Sequence, residues 1–103
     1  MNQLNNIRMN YKKIINKLKS ENESVGEWAH GDFPDELGKV KEVFSKGGEG
    51  KGEDWERVYH FIDHDVFISF SGFYSSYNGT DFDGWDDSVT QVTPVEKTIT
   101  VYE

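Results

Sequence analysis

Two short stretches carry the residue types that chemistry needs. The first is His60-Phe61-Ile62-Asp63-His64-Asp65, with two imidazoles and two carboxylates in six positions. A histidine pair four apart converges on a metal when helical. In an extended strand the same pair lies ~13 Å apart, from the rise of ~3.3 Å per residue. His64 with Asp63 and Asp65 is then the only arrangement left for a small site at the tip, and His60 joins it as a weak alternative ligand. A metal needs a converging ligand set, so the favoured reading of this stretch is a polar turn. The second stretch is Asp81-Phe82-Asp83-Gly84-Trp85-Asp86-Asp87. With Gly84 placed at the sixth position of an EF-hand loop, the first ligand would be Gly79 and the twelfth Thr90. Both required oxygens are missing, which excludes an EF-hand. The favoured reading is an exposed acidic loop bearing Phe82 and Trp85. Aromatic anchors ringed by charge are typical of interface hot spots, so Asp81, Phe82, Asp83, Trp85, Asp86, Asp87 and the nearby Tyr77 are the expected partner-binding residues.

Other chemistries find less support. The chain has no cysteine, hence no disulfide, thiolate ligand or thiol nucleophile. His30, His60 and His64 sit in no nucleophile motif. Gly47-Gly48-Glu49-Gly50-Lys51-Gly52 lacks the Ser/Thr and the strand-to-helix setting of a phosphate-binding loop. It reads as a linker. No catalytic residue, cofactor or enzyme activity is expected.

Charge decides more. The 103 residues hold 11 Lys+Arg and 19 Asp+Glu, a net charge of −8. Arg8, Lys12, Lys13, Lys17 and Lys19 make residues 1–20 basic, and every acid lies after them. The favoured consequence is a basic helix that locally neutralises an acidic body. Nucleic-acid affinity comes mainly from phosphate neutralisation, so direct binding is not expected of that body. No apolar run approaches the ~20 residues that span a bilayer. The mean hydropathy of −0.74 is low, yet three Trp, five Tyr and seven Phe are enough large side chains for a small core.

The elements that must position these residues follow from periodicity. Leu4, Ile7, Tyr11, Ile14 and Leu18 predict an amphipathic helix over residues 3–20, capped by Asn2. Residues 21–32 read as a polar connection or a short turn of helix, anchored by Trp28. Phe33, Leu37, Val40 and Phe44, with Pro34 in the first turn, predict a second helix over residues 33–46. Residues 47–54 form the glycine-rich linker, and residues 55–103 the β part of one domain. Two hairpin registers compete around Asp63-His64-Asp65: one sets Tyr59 opposite Phe70, the other sets Ile62 opposite Val66. Either leaves aromatics on the second face that something must cover. Asn78-Gly79 predicts a two-residue turn with Tyr77 opposite Thr80, and Pro94 an edge or a break. The expected class is α+β: two N-terminal helices packed on one face of a three- to four-stranded antiparallel sheet.

In size, acidity, absence of cysteine and α+β layout, the whole chain resembles in type the small counter-defence proteins of bacteriophages and mobile elements, anti-CRISPR proteins among them. It also resembles the acidic immunity proteins that neutralise nuclease toxins. The resemblance implies a cytoplasmic inhibitor, a nucleic-acid mimic in charge, that binds a protein target with a basic surface. The alternatives are a small oligomeric assembly protein and a metal-binding domain using His60, His64 and the acidic loop.

Overall fold

A computed structural model describes residues 8–47, 53–75, 79–82 and 84–94. Helix α1 spans Tyr11–Glu21 and α2 spans Val25–Ala29. A single 3₁₀ turn, Asp35–Leu37, leads into strand β1, Val40–Lys46. Strands β2, Glu53–Phe61, β3, Val66–Ser75, and β4, Gly79–Asp81, precede the short helix α3, Trp85–Ser88, and strand β5, Val89–Val92. The protein is α+β, and its described residues form a five-stranded antiparallel sheet ordered β1-β2-β3-β4 in which β5 also pairs with β3. No helix among the described residues is long and apolar enough to cross a membrane.

The predicted first helix is shorter than expected. Asn10, not Asn2, is its cap, and its side chain accepts from the Lys13 N–H at 2.9 Å. Residues 8–10 are drawn off the helical path because the Met9 N–H donates to His64 Nδ1 at 2.9 Å. Residues 1–7 lie outside the described residues. Ile14, Ile15 and Leu18 form the buried stripe. Lys17 bridges Glu21 at 2.8 Å and Glu36 at 3.6 Å, so part of the basic face is neutralised as the charge map suggested. The hydrogen bond to Glu21 is the main reason the Lys17 ammonium titrates above its ordinary value.

The predicted second helix over residues 33–46 is wrong. Only one turn forms, and Val40–Lys46 is an edge strand paired with β2 from Val40↔Phe61 to Lys46↔Glu56. The helical part of the domain therefore stops well before residue 46. Gly38 is the breaker. It holds φ +77°, a region that side-chain-bearing residues rarely adopt. A methyl group there would collide with Asp63 Oδ2 and lie 2.9 Å from its Cγ. Asp63 closes the corner by accepting the Lys39 N–H at 3.1 Å, and Lys39 O accepts the Ile62 N–H at 2.9 Å. The apolar spacing at 33, 37, 40 and 44 fits a helix, but β-branched and aromatic residues beyond the glycine find a ladder instead.

The β2–β3 turn matches neither expected register. Phe61 pairs with Val66 and Tyr59 with Ile68, leaving residues 62–65 as a four-residue turn with Asp65 at φ 53°. The inward face is nonetheless the one in which Tyr59 and Phe70 share a side. Trp55, Tyr59 and Phe61 of β2 and Val66, Ile68 and Phe70 of β3 are all buried. The next hairpin pairs Tyr74 with Thr80 and Ser75 with Gly79. Tyr77 is thus not the partner of Thr80. Tyr77 and Asn78 lie outside the described residues, as do positions 48–52 of the glycine-rich linker and everything after Pro94. Strand β5 ends at Val92, ahead of Pro94.

Phe33, itself half-buried, packs its ring against the buried core. Its ring lies 4.9 Å from Phe61, 5.0 Å from Tyr59 and 5.9 Å from Phe70, and stacks on Trp28 at 6.4 Å. The Tyr59 hydroxyl donates to Ala29 O at 2.8 Å and ties α2 to the sheet. Burial, with the Glu42 carboxylate second, pushes this phenol up to about 12.

Two outcomes follow. Gly38→Ala should lower the unfolding free energy by about 2–3 kcal/mol, the range for strain at a special backbone conformation, read from urea denaturation. The folded chain holds the Tyr59 proton more tightly than the unfolded chain does. Its contribution is therefore complete below pH 10 and lost as pH rises from 10 to about 12. Tyrosinate absorbance should show a late-titrating component that Tyr59→Phe removes.

Candidate functional site

The acidic stretch after β4 is built differently from a loop that offers its aromatics to solvent. Gly84 at φ 121° turns the chain into α3, closed by the Ser88 N–H donating to Gly84 O at 2.8 Å. Phe82 is half-buried and stands edge-on to Trp55, with centroids 5.4 Å apart and planes at 85°. Its ring lies over Gly72, where a Cβ would come within 2.9 Å of it. Trp85, also half-buried, donates its indole N–H to Glu23 O at 2.7 Å. Lys19 Nζ sits 5.5 Å from its ring centroid. Both expected anchors are turned against the domain, where they act as struts between the sheet and the segment joining α1 to α2.

Their acidic neighbours point in different directions. Asp81, Asp86 and Asp87 are exposed, and none takes part in an ion pair among the described residues. Asp81 lines a groove of about 420 Å³ together with Glu23, Gly26, His30, Phe82 and Trp85. Asp87 lines a groove of about 480 Å³ on another side, with Lys46, Asp54, Glu56, Ser69 and Phe73. The Asp86 charge reaches the half-buried Tyr11 hydroxyl, which burial first and that charge second raise above its ordinary value. Asp83 and Tyr77 lie outside the described residues. Asp81 and Asp87 therefore do not share one groove.

The residue that sequence reasoning missed is Glu23. It sits in a polar run, 62 positions before Trp85, and only the Trp85 hydrogen bond brings it to Asp81's groove. An indole needs an acceptor when half-buried, but nothing local says which carbonyl supplies it.

The His/Asp stretch disperses in a similar way. His60 Nε2 lies 3.1 Å from Asp65 Oδ1, and its ring stacks on Phe67 at 3.9 Å and 5°. His64 Nδ1 is taken by the Met9 N–H, while its carbonyl accepts from Arg8 at 3.3 Å. Asp63 is engaged at the Gly38 corner. No group of three or more potential ligands that could hold a metal ion is present among the described residues. What the turn does is fasten the entry to α1 and the start of β1 onto one hairpin tip.

Comparison of the chain with known protein families, with curated proteins and with solved structures finds no match.

If the aromatics brace and the acids face solvent, their substitutions must separate. Trp85→Phe should cost about 1 kcal/mol through the lost hydrogen bond, read from urea denaturation. Asp81→Asn should change stability by less than about 0.5 kcal/mol, as surface substitutions do.

Proposed function

We propose that the chain is a small protein-binding inhibitor that presents carboxylates to a basic, nucleic-acid-binding surface of a target protein in the cytoplasm. One observation carries this reading. Glu23 and Asp81 line the same groove, without ion-pair partners among the described residues, on a frame braced by Phe82 and Trp85. Unpaired carboxylates on a pre-organised frame lose little conformational freedom on docking. A net charge of −8 steers the chain toward basic surfaces by long-range attraction. Asp86 and Asp87 add exposed carboxylates outside this groove, while Lys17 is already neutralised by Glu21 and Glu36.

The mechanism is competitive occlusion. The acids take the place of phosphates on the target, and the body of the domain blocks access. Capture from a bacterial lysate should retain proteins at low salt that nucleic acid displaces. Retention should fall about tenfold between 50 and 200 mM salt, as expected for an interface dominated by charge pairs. The variant E23K/D81K/D86K should lose them. Retention indifferent both to salt and to this reversal would sink the charge-mimic mechanism.

A further inference from the structure

His64 stands at the β2–β3 tip with its side chain turned inward, and the residue is 9% exposed. Its two ring nitrogens are not equivalent. The Met9 N–H can only donate, so Nδ1, 2.9 Å away, is the nitrogen that carries the lone pair. The neutral ring then holds its hydrogen on Nε2, and that atom is buried with no hydrogen-bond partner among the described residues. An imidazolium carries hydrogen on both nitrogens. A second proton on this ring therefore takes the lone pair that Met9 uses, and Nε2 meets no acceptor that could compensate.

We infer that this bond is a proton-sensitive latch: when His64 takes up a proton, Met9 is released and residues 8–10 leave the hairpin tip. The charges around the ring set the sign. In the entry to α1, the Arg8 guanidinium donates to the His64 carbonyl at 3.3 Å and lies 3.8 Å from Asp65. Lys12 of α1 lines the same cavity of about 610 Å³ as Arg8, Met9 and His64. Both cations oppose an imidazolium beside them. Val66 of β3 and Gln91 of β5 also line the cavity and carry no charge. Within the tip, Asp63 is held at the Gly38 corner, and Asp65 is shared between Arg8 and His60. His60 works in the opposite sense, because a proton there strengthens its contact with Asp65 at 3.1 Å. Residues 1–7 hold no ionisable side chain. The latch needs the neutral ring of His64, so it is closed at about pH 8 and opens as pH falls toward about 5, the range in which histidines change charge. The segment it holds has somewhere else to go. Residues 8–10 lie within the stretch that the spacing of Leu4, Ile7 and Tyr11 assigns to a helix, and the bond keeps them off that path. Opening also parts Arg8 from Asp65, which undocks the basic end of the chain from the acidic body. None of the latch residues lines the groove shared by Glu23 and Asp81, so the inference is independent of the acidic site.

Amide hydrogen exchange on the full chain, read by NMR and corrected for the intrinsic rate at each pH, tests the latch. Protection of the Met9 N–H should fall about tenfold between about pH 8 and pH 5, as the loss of one hydrogen bond implies. The fall should share its midpoint with the loss of the His64 Nδ1 lone pair, followed in ring ¹H–¹⁵N spectra of the same sample. His64→Asn puts an amide oxygen where Nδ1 stands, so it should keep Met9 protected and remove the pH dependence. His60→Asn should leave the fall in place. Protection that stays constant to pH 5, midpoints of Met9 and His64 that do not coincide, a fall that persists in H64N, or one that H60N abolishes would each overturn the inference.

Discussion

The pleat of β2 and β3 sends Trp55, Tyr59, Phe61, Val66, Ile68 and Phe70 to one side of the sheet. That one-sided concentration of large side chains is what every other element answers to. A sheet cannot leave such a face in water, and in a chain with 35% hydrophobic residues little apolar surface is left to cover it. The solution is economical in residues. One amphipathic helix supplies Ile14, Ile15 and Leu18, a five-residue helix supplies Val25, Trp28 and Ala29, and the connection between α2 and β1 lends Phe33 and Leu37. Phe33 touches the rings of Tyr59, Phe61 and Phe70, so a residue in a connecting segment does the work usually left to a helix.

This dependence explains what could be read in the sequence and what could not. The α1 stripe was legible because 3.6-residue periodicity is local. So was the β2–β3 pair, which is rich in aromatic and β-branched residues. The identity of its buried face was settled by a sum over both strands, and the turn length by Asp65 adopting a left-handed conformation that neither expected register contained. The second helix failed for a reason outside its own window. Gly38 reads as a tolerable interruption until Asp63, 25 residues later, occupies the space a side chain would need. The spacing of Leu37, Val40 and Phe44 cannot tell a helix stripe from a strand that begins after a glycine.

The acidic segment shows the same limit in a sharper form. Composition identified Asp81, Phe82, Trp85, Asp86 and Asp87 as a unit, but in the fold Asp81 and Asp87 line different grooves. Their roles split by polarity and reach. The rings found partners at Trp55, Gly72 and Glu23, while the carboxylates, with no described cation in range, stayed in solvent. Sequence proximity indicated where the acids are and not which way they face. That direction depends on a three-residue strand, a glycine and a one-turn helix in succession.

The layers are joined by side chains that donate to main-chain carbonyls: Tyr11 to Val89, Trp28 to Asn22, Tyr59 to Ala29 and Trp85 to Glu23. A carbonyl oxygen is present whatever side chain its residue carries. The bond itself therefore makes no demand on the side chain of the exposed Glu23, whereas Asn22 also accepts the Ser24 N–H and Ala29 and Val89 are buried in the core. Glu23 can be exchanged while the Trp85 hydrogen bond to its carbonyl is kept. A fastener that ignores the residue it holds leaves that residue's outward-facing side chain free to change without loosening the frame.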